Sequence, residues 1–123
     1  MQLMVLVSVA GAGALGAVSR YALSSCLREL FGAGPAPIAF VNVVGCFGFG
    51  LCAGLLEDRV SQAVYVGVLA GFFGAFTTFS AFAFDGVQLL EDRRFLAFFG
   101  NLSLQNALGA GGLWMGLALA SRG

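Results

Sequence analysis

The chain has 123 residues, 59% of them hydrophobic and only 10% charged, where soluble domains average roughly 25% charged. Net charge is zero, every basic residue is arginine, and histidine is absent. This excludes a nucleic-acid footprint, His-ligated metal sites and histidine acid–base chemistry, and it points to the lipid bilayer, not nucleic acid or a soluble protein, as the partner.

Residues 1–19, 30–56, 60–84 and 95–121 contain no charged side chain. Each run is long enough for a helix across the ~30 Å hydrocarbon core, which takes about 20 residues. The expected fold is an all-α membrane protein, one four-helix transmembrane domain over residues 1–123. Its spans fall at roughly 3–30, 37–56, 61–90 and 95–120. The first run lacks the basic start and small-residue cleavage site of a signal peptide, so it reads as a retained span. "FGAGPAP" after "LREL" closes it with a turn signature. "EDRVS" at 57–61 parts the second and third spans, and "EDRR" at 91–94 parts the third and fourth. Four spans place both termini on one side.

The third span is long for its task. Residues 61–90 as a straight helix would run about 45 Å at ~1.5 Å per residue. A break near 74–78, inside "GFFGAFTTFSAF" (71–82), would absorb the excess, because glycine and paired β-branched threonine weaken a helix there. Orientation is weakly specified. Arg59 and Arg122 stand against Arg28, Arg93 and Arg94, with Arg20 near the second group. The positive-inside rule then gives no firm answer, and both a dual-topology dimer and a weak sufficient bias stay open.

Gly50–Gly54, Gly67–Gly71 and Gly112–Gly116 have the spacing that lets membrane helices approach closely. These are packing positions and argue against a wide aqueous pore. Cys26, Cys46 and Cys52 are scattered on apolar helices without a CxxC motif and read as small buried residues.

Polar side chains within lipid need a partner or a task. Asn42 in "FVNVVGCF" is either interhelical glue or a ligand donor. Arg20 in "GAVSRYAL" snorkels, pairs with Glu29, or makes a water-filled entrance attractive to anions. The "TTFS" of 77–80 and the fourth-span set Asn101, Ser103, Gln105 and Asn106 complete the group. Unwound backbone at membrane depth is tolerated where it lines a site. Freed carbonyls suit a hard cation, and the N–H groups opening the next half-helix suit an anion. Phe79 and Phe82, three apart, would share a helix face and could turn positive ring edges to an anion. On composition alone, ordinary aromatic packing is the stronger reading of these rings.

"GAVSRY", "VNVVGCF" and "GFFGAFTTFSAF", in this order and separation, resemble the three signatures of the Fluc (CrcB) family of fluoride channels. The resemblance covers essentially the whole chain. It implies an antiparallel, dual-topology homodimer with two fluoride pathways in a bacterial inner (plasma) membrane. Fluoride would leave the cytoplasm passively, and no enzyme activity is implied. By position, Asn42 matches the pore asparagine that donates its amide to fluoride, and Phe79 and Phe82 the two pore phenylalanines. Gly74 and Thr77 match the backbone carbonyls holding a central structural sodium (Na+). Arg20 matches the arginine near the entrance, and Thr78 and Ser80 the polar helix-break positions. Ser103 and Asn106 are what remains of fourth-span polarity along the pathway. The chain departs from the pattern at Ala81, Ala83 and Ile38, where polar residues are common, and at Asp85, where glutamate is common.

Two rivals come from other classes. A small proton-coupled multidrug exporter would need a first-span carboxylate, yet residues 1–19 hold none and Glu29 sits at a helix end. A non-transporting scaffold would leave Asn42 and the break chemistry without a task.

Overall fold

Apolar runs punctuated by charged turns build an all-helical chain in the computed structural model, which describes residues 1–123. Helix α1 is Gln2–Phe31, α2 is Ala36–Leu56, α3 covers residues 62–76, α4 is Phe79–Glu91 and α5 is Phe95–Ala120. Gly32, with φ 82°, ends α1 in a conformation that a side chain would resist, and its N–H donates to the Arg28 carbonyl at 2.8 Å. Pro35 caps α2, where a missing N–H costs nothing. Asp58 and Arg93, both with left-handed φ, turn the chain after α2 and α4.

Helices α3 and α4 are two halves of one long segment. Within α3 the stretch Gly67–Phe73 winds more widely, in π-type turns, which are often found at functional sites. Helical geometry resumes for Gly74–Phe76. Only Thr77 (φ −82°, ψ 154°) and Thr78 (φ −145°, ψ 115°) are extended. The unwinding is therefore narrower than the 74–78 expected from composition, and Gly74 keeps helical angles.

Three segments, Gln2–Phe31, Ala36–Leu56 and Gln62–Glu91, are long and apolar enough to cross a membrane. Helix α5 is also long, at 26 residues, and uncharged. Its amides Asn101, Gln105 and Asn106 dilute its apolar character and keep it out of that group.

Glycine sets how the helices meet. Gly16 of α1 lies so close to the Phe72 backbone that a Cβ would overlap the Phe72 carbonyl. Gly67 and Gly71 approach Ser8 and Val9 in the same seam. Gly50 of α2 and Gly116 of α5 lie against the backbones of Leu113 and Phe47. Thus α1 clasps α3 and α2 clasps α5, through glycines seated against the facing backbone, and this close packing replaces the hydrophobic drive lipid cannot supply. Leu27, Val41 and Phe76 join the two pairs in a small core, with Leu23 and Phe72 against it. Only 19 of 123 residues are buried, so most apolar surface is left for lipid or for another protein.

Candidate functional site

The break at Thr77–Thr78 leaves backbone groups that a continuous helix would satisfy internally, and side chains take their place. Fully buried Val41 anchors α2 in the core and sets Asn42 beside the break. The Asn42 Nδ2 donates to the Thr78 carbonyl at 3.1 Å, and the Thr78 N–H donates to Asn42 Oδ1 at 2.8 Å. One side-chain amide thus pairs with both polar groups of one residue, as a neighbouring strand would. Thr78 then caps α4, its Oγ1 accepting from the Ala81 N–H at 3.2 Å.

These bonds have a consequence at two carbonyls. In an unbroken helix the Thr78 N–H would donate to the Gly74 carbonyl and the Ala81 N–H to the Thr77 carbonyl. Both donors are diverted, to Asn42 and to the Thr78 hydroxyl. Neither carbonyl receives its usual backbone partner. The Thr77 hydroxyl turns back to the Phe73 carbonyl at 3.0 Å and stays on its own helix. No group of three or more His, Cys, Asp or Glu side chains gathers to hold a metal. A cation at the break would therefore meet carbonyl oxygens, which suit a hard ion.

Two cavities flank the Asn42–Thr78 pair. The first, about 170 Å³, is lined by Asn42, Cys46, Thr77, Phe79, Phe82, Gln105 and Asn106. The Phe79 and Phe82 rings stand 5.6 Å apart between centroids, tilted by 49°. Phe79 is 79% exposed, so in a single chain the aromatic wall is open on its outer side. The second cavity, about 440 Å³, has Arg20, Arg28, Thr78, Ser80 and Asp85 in its lining. There the Thr78 and Ser80 hydroxyls share a hydrogen bond of 3.1 Å. Two guanidiniums face one carboxylate, so this lining is net positive. Asp85 Oδ2 is buried and accepts no hydrogen bond.

Comparison with known proteins decides the family. A family model described as CrcB-like protein, Camphor Resistance (CrcB), matches residues 7–117. The chain belongs to the CrcB family. A fluoride-specific ion channel FluC of Solidesulfovibrio magneticus is 45% identical to it over 114 residues, covering 90% of this chain and 91% of the relative. Relatives of the same description from Nitratidesulfovibrio vulgaris and Nitrosococcus oceani are 42% and 43% identical, each covering over nine-tenths of both chains. These members of the CrcB family are named as ion channels, not enzymes.

Of the residues singled out in the sequence, Asn42, Thr77, Phe79, Phe82 and Asn106 line the first cavity, and Arg20, Thr78 and Ser80 the second. Asn106 turns its amide back to the Leu102 carbonyl at 2.7 Å. Ser103 is exposed and lines neither cavity. Gln105 takes the place expected of Ser103: it is 8% exposed and accepts from Asn42 Nδ2 at 2.9 Å. Helical spacing contains the clue, since Asn101 and Gln105 stack one turn apart while Ser103 lies on the far side.

Proposed function

We propose that the chain is a fluoride-selective channel that lets cytoplasmic fluoride leave down its gradient, reducing fluoride toxicity. It crosses a bacterial inner membrane four times as a single domain and pairs with a second, antiparallel copy. The observation that carries this reading is the juxtaposition at the break: an amide on the unwound residue, with two phenylalanine rings beside it. The names of the relatives give the ion.

Fluoride is small and strongly hydrated, so losing its water is costly unless donors replace the shell. Neutral amide, hydroxyl and ring-edge groups attract it without trapping it. Arg20 and Arg28 would raise anion concentration in the second cavity. Thr78 and Ser80 would offer hydroxyls on the way to Asn42, and Phe79 and Phe82 would pass the ion along the aromatic wall. Asn106 adds an amide at that wall, with Ser103 farther out on α5. A second copy would close the side on which Phe79 is exposed.

The Gly74 and Thr77 carbonyls, relieved of their backbone partners, fit a sodium ion shared with the same carbonyls of the second copy. Its charge would offset carbonyl dipoles where two broken helices meet.

Fluoride efflux from reconstituted vesicles, read with a fluoride electrode with and without sodium, tests the reading. Fluoride should leave while chloride stays. Asn42→Asp should abolish efflux, because a carboxylate repels the ion and cannot donate. Wild-type vesicles that release no fluoride would end this proposal, and unchanged efflux from Asn42→Asp would remove Asn42 from the pathway.

A further inference from the structure

The channel reading, on which this inference rests, meets an obstacle at Asn42. Its NH2 group has two hydrogens, and both are taken: one by the Thr78 carbonyl at 3.1 Å, the other by Gln105 Oε1 at 2.9 Å. An anion that binds this amide must displace an acceptor. Displacing Thr78 would disturb a two-point pair and strand a backbone carbonyl at the break. Displacing Gln105 moves only a side chain.

Gln105 is itself part of a chain of amides. Its Nε2 donates to Asn101 Oδ1 at 2.8 Å. The bonds therefore run in one direction, from Asn42 to Gln105 to Asn101. The Asn101 NH2 ends the series without a protein acceptor, and Asn101 borders a cavity of about 540 Å³ between α2 and α5. A terminal amide has donors on one arm and an acceptor on the other, and its last torsion is broad and roughly two-fold. Half a turn at Gln105 and half a turn at Asn101 would reverse the series.

We propose that fluoride reverses this amide series and that Gln105 is a second fluoride donor beside Asn42. In the reversed direction the Asn101 NH2 donates to Gln105 Oε1, and the Gln105 NH2 faces Asn42. Two N–H donors then point at one another. That arrangement is unfavourable when the space is empty and favourable when a small anion sits between them. Without fluoride the forward series pairs both hydrogens of the Asn42 NH2 and the Gln105 oxygen. With fluoride the reversed series again pairs Asn42 and Gln105, and in either state the one unpaired amide group falls on Asn101, beside the cavity between α2 and α5. Gln105 thus covers the Asn42 amide at rest and joins it in holding the ion. Fluoride is a strong enough acceptor to compete with an amide carbonyl, and chloride, larger and weaker, is not.

The test is a nitrogen–proton NMR spectrum of the full-length protein in lipid, with glutamine side chains labelled. The Gln105 amide signal is separated from those of Gln2, Gln62 and Gln88 by its loss in Gln105→Leu. It should shift as sodium fluoride replaces sodium gluconate, and stay in place when sodium chloride does. In vesicles, Gln105→Glu, an acceptor without donors when ionised, should lower fluoride efflux about tenfold or more, the worth of one good bond to an ion. Asn101→Leu should mainly raise the fluoride concentration at half-maximal rate, because reversed Gln105 loses its donor. A wild-type protein that conducts fluoride while its Gln105 signal stays still overturns the reversal and leaves the channel intact. A wild-type protein that conducts no fluoride overturns the channel reading, and this inference with it.

Discussion

The two halves of the third segment are built on opposite principles. Helix α3 is held from one side by α1, through glycines at backbone distance: Gly16 against Phe72, Gly67 against Ser8, Gly71 against Val9. Helix α4 meets its own chain mainly at α5, where Gly86 receives the Phe98 ring. It leaves Phe79, Phe84 and Val87 exposed. One half is fixed within the chain, and the other offers an apolar face to something outside it. Thr77 and Thr78 lie where the regimes meet, and Asn42 ties them to α2. A break between a clasped half and an open half gives a rigid upstream wall and a downstream wall that a second copy would complete.

The largest effect should come from disturbing the clasp. Gly16→Leu would force side-chain atoms into the Phe72 backbone, which cannot step aside as a flexible side chain can. Overpacking usually costs ~1–3 kcal/mol, and a backbone obstacle places this change at or above the top of that range. Yield of folded protein in detergent and its unfolding temperature should both fall sharply. Phe84→Ala on α4 should leave the fold of one chain unchanged and weaken self-association, read by cross-linking across a dilution series. If Phe84→Ala unfolds the chain as Gly16→Leu does, the contrast between the halves is wrong.

Much of this contrast is legible in the sequence, though not evenly. Uncharged runs and charged turns predict the helices to within a few residues, since lipid length and charge cost are strong constraints. Paired threonine marks the break because β-branched, hydroxyl-bearing residues compete with helix bonds. The wide turns at Gly67–Phe73 were not legible, for they belong to a stretch pressed against α1, a tertiary circumstance. Gln105 is one of four fourth-span polar residues, and composition does not set it above Ser103 or Asn106. Which face of α5 meets Asn42 depends on how Gly116 seats against Phe47, and composition does not report that.

A smaller effect separates the tie from the walls. Asn42→Leu removes the partner of the Thr78 N–H and of its carbonyl together. A stranded buried group costs ~1–3 kcal/mol, and the flanking cavities, which admit water, keep each of the two near the lower figure, so unfolding temperature should drop by less than for Gly16→Leu while fluoride efflux is lost. Full stability in Asn42→Leu would mean that water in the flanking cavities serves Thr78 equally well, and that Asn42 is a ligand rather than a tie. Phe82→Ile should reduce efflux with the dimer still assembled, because an aliphatic side chain fills space but has no positive ring edge. Undiminished efflux would make Phe82 ordinary packing on the open half.

The smallest effect is expected at Thr77, on the boundary itself. Thr77→Val keeps the branched shape that packs against Gly45 and removes one hydroxyl bond, to Phe73 at 3.0 Å. That carbonyl already accepts the Thr77 N–H at 3.0 Å, so the loss should stay at or below about 1 kcal/mol. The Thr77 carbonyl is untouched by the substitution. Its freedom comes from the extended backbone of Thr77 and Thr78, which Thr77→Val leaves in place. The dependence of efflux on sodium should therefore match that of the wild type. Thr78→Val removes the hydroxyl that caps the Ala81 N–H, loosens the extended pair that frees the Thr77 carbonyl, and should weaken the sodium dependence. If Thr77→Val alone abolishes it, the hydroxyl and not the carbonyl holds the ion, and the proposed sodium site must be redrawn around side chains.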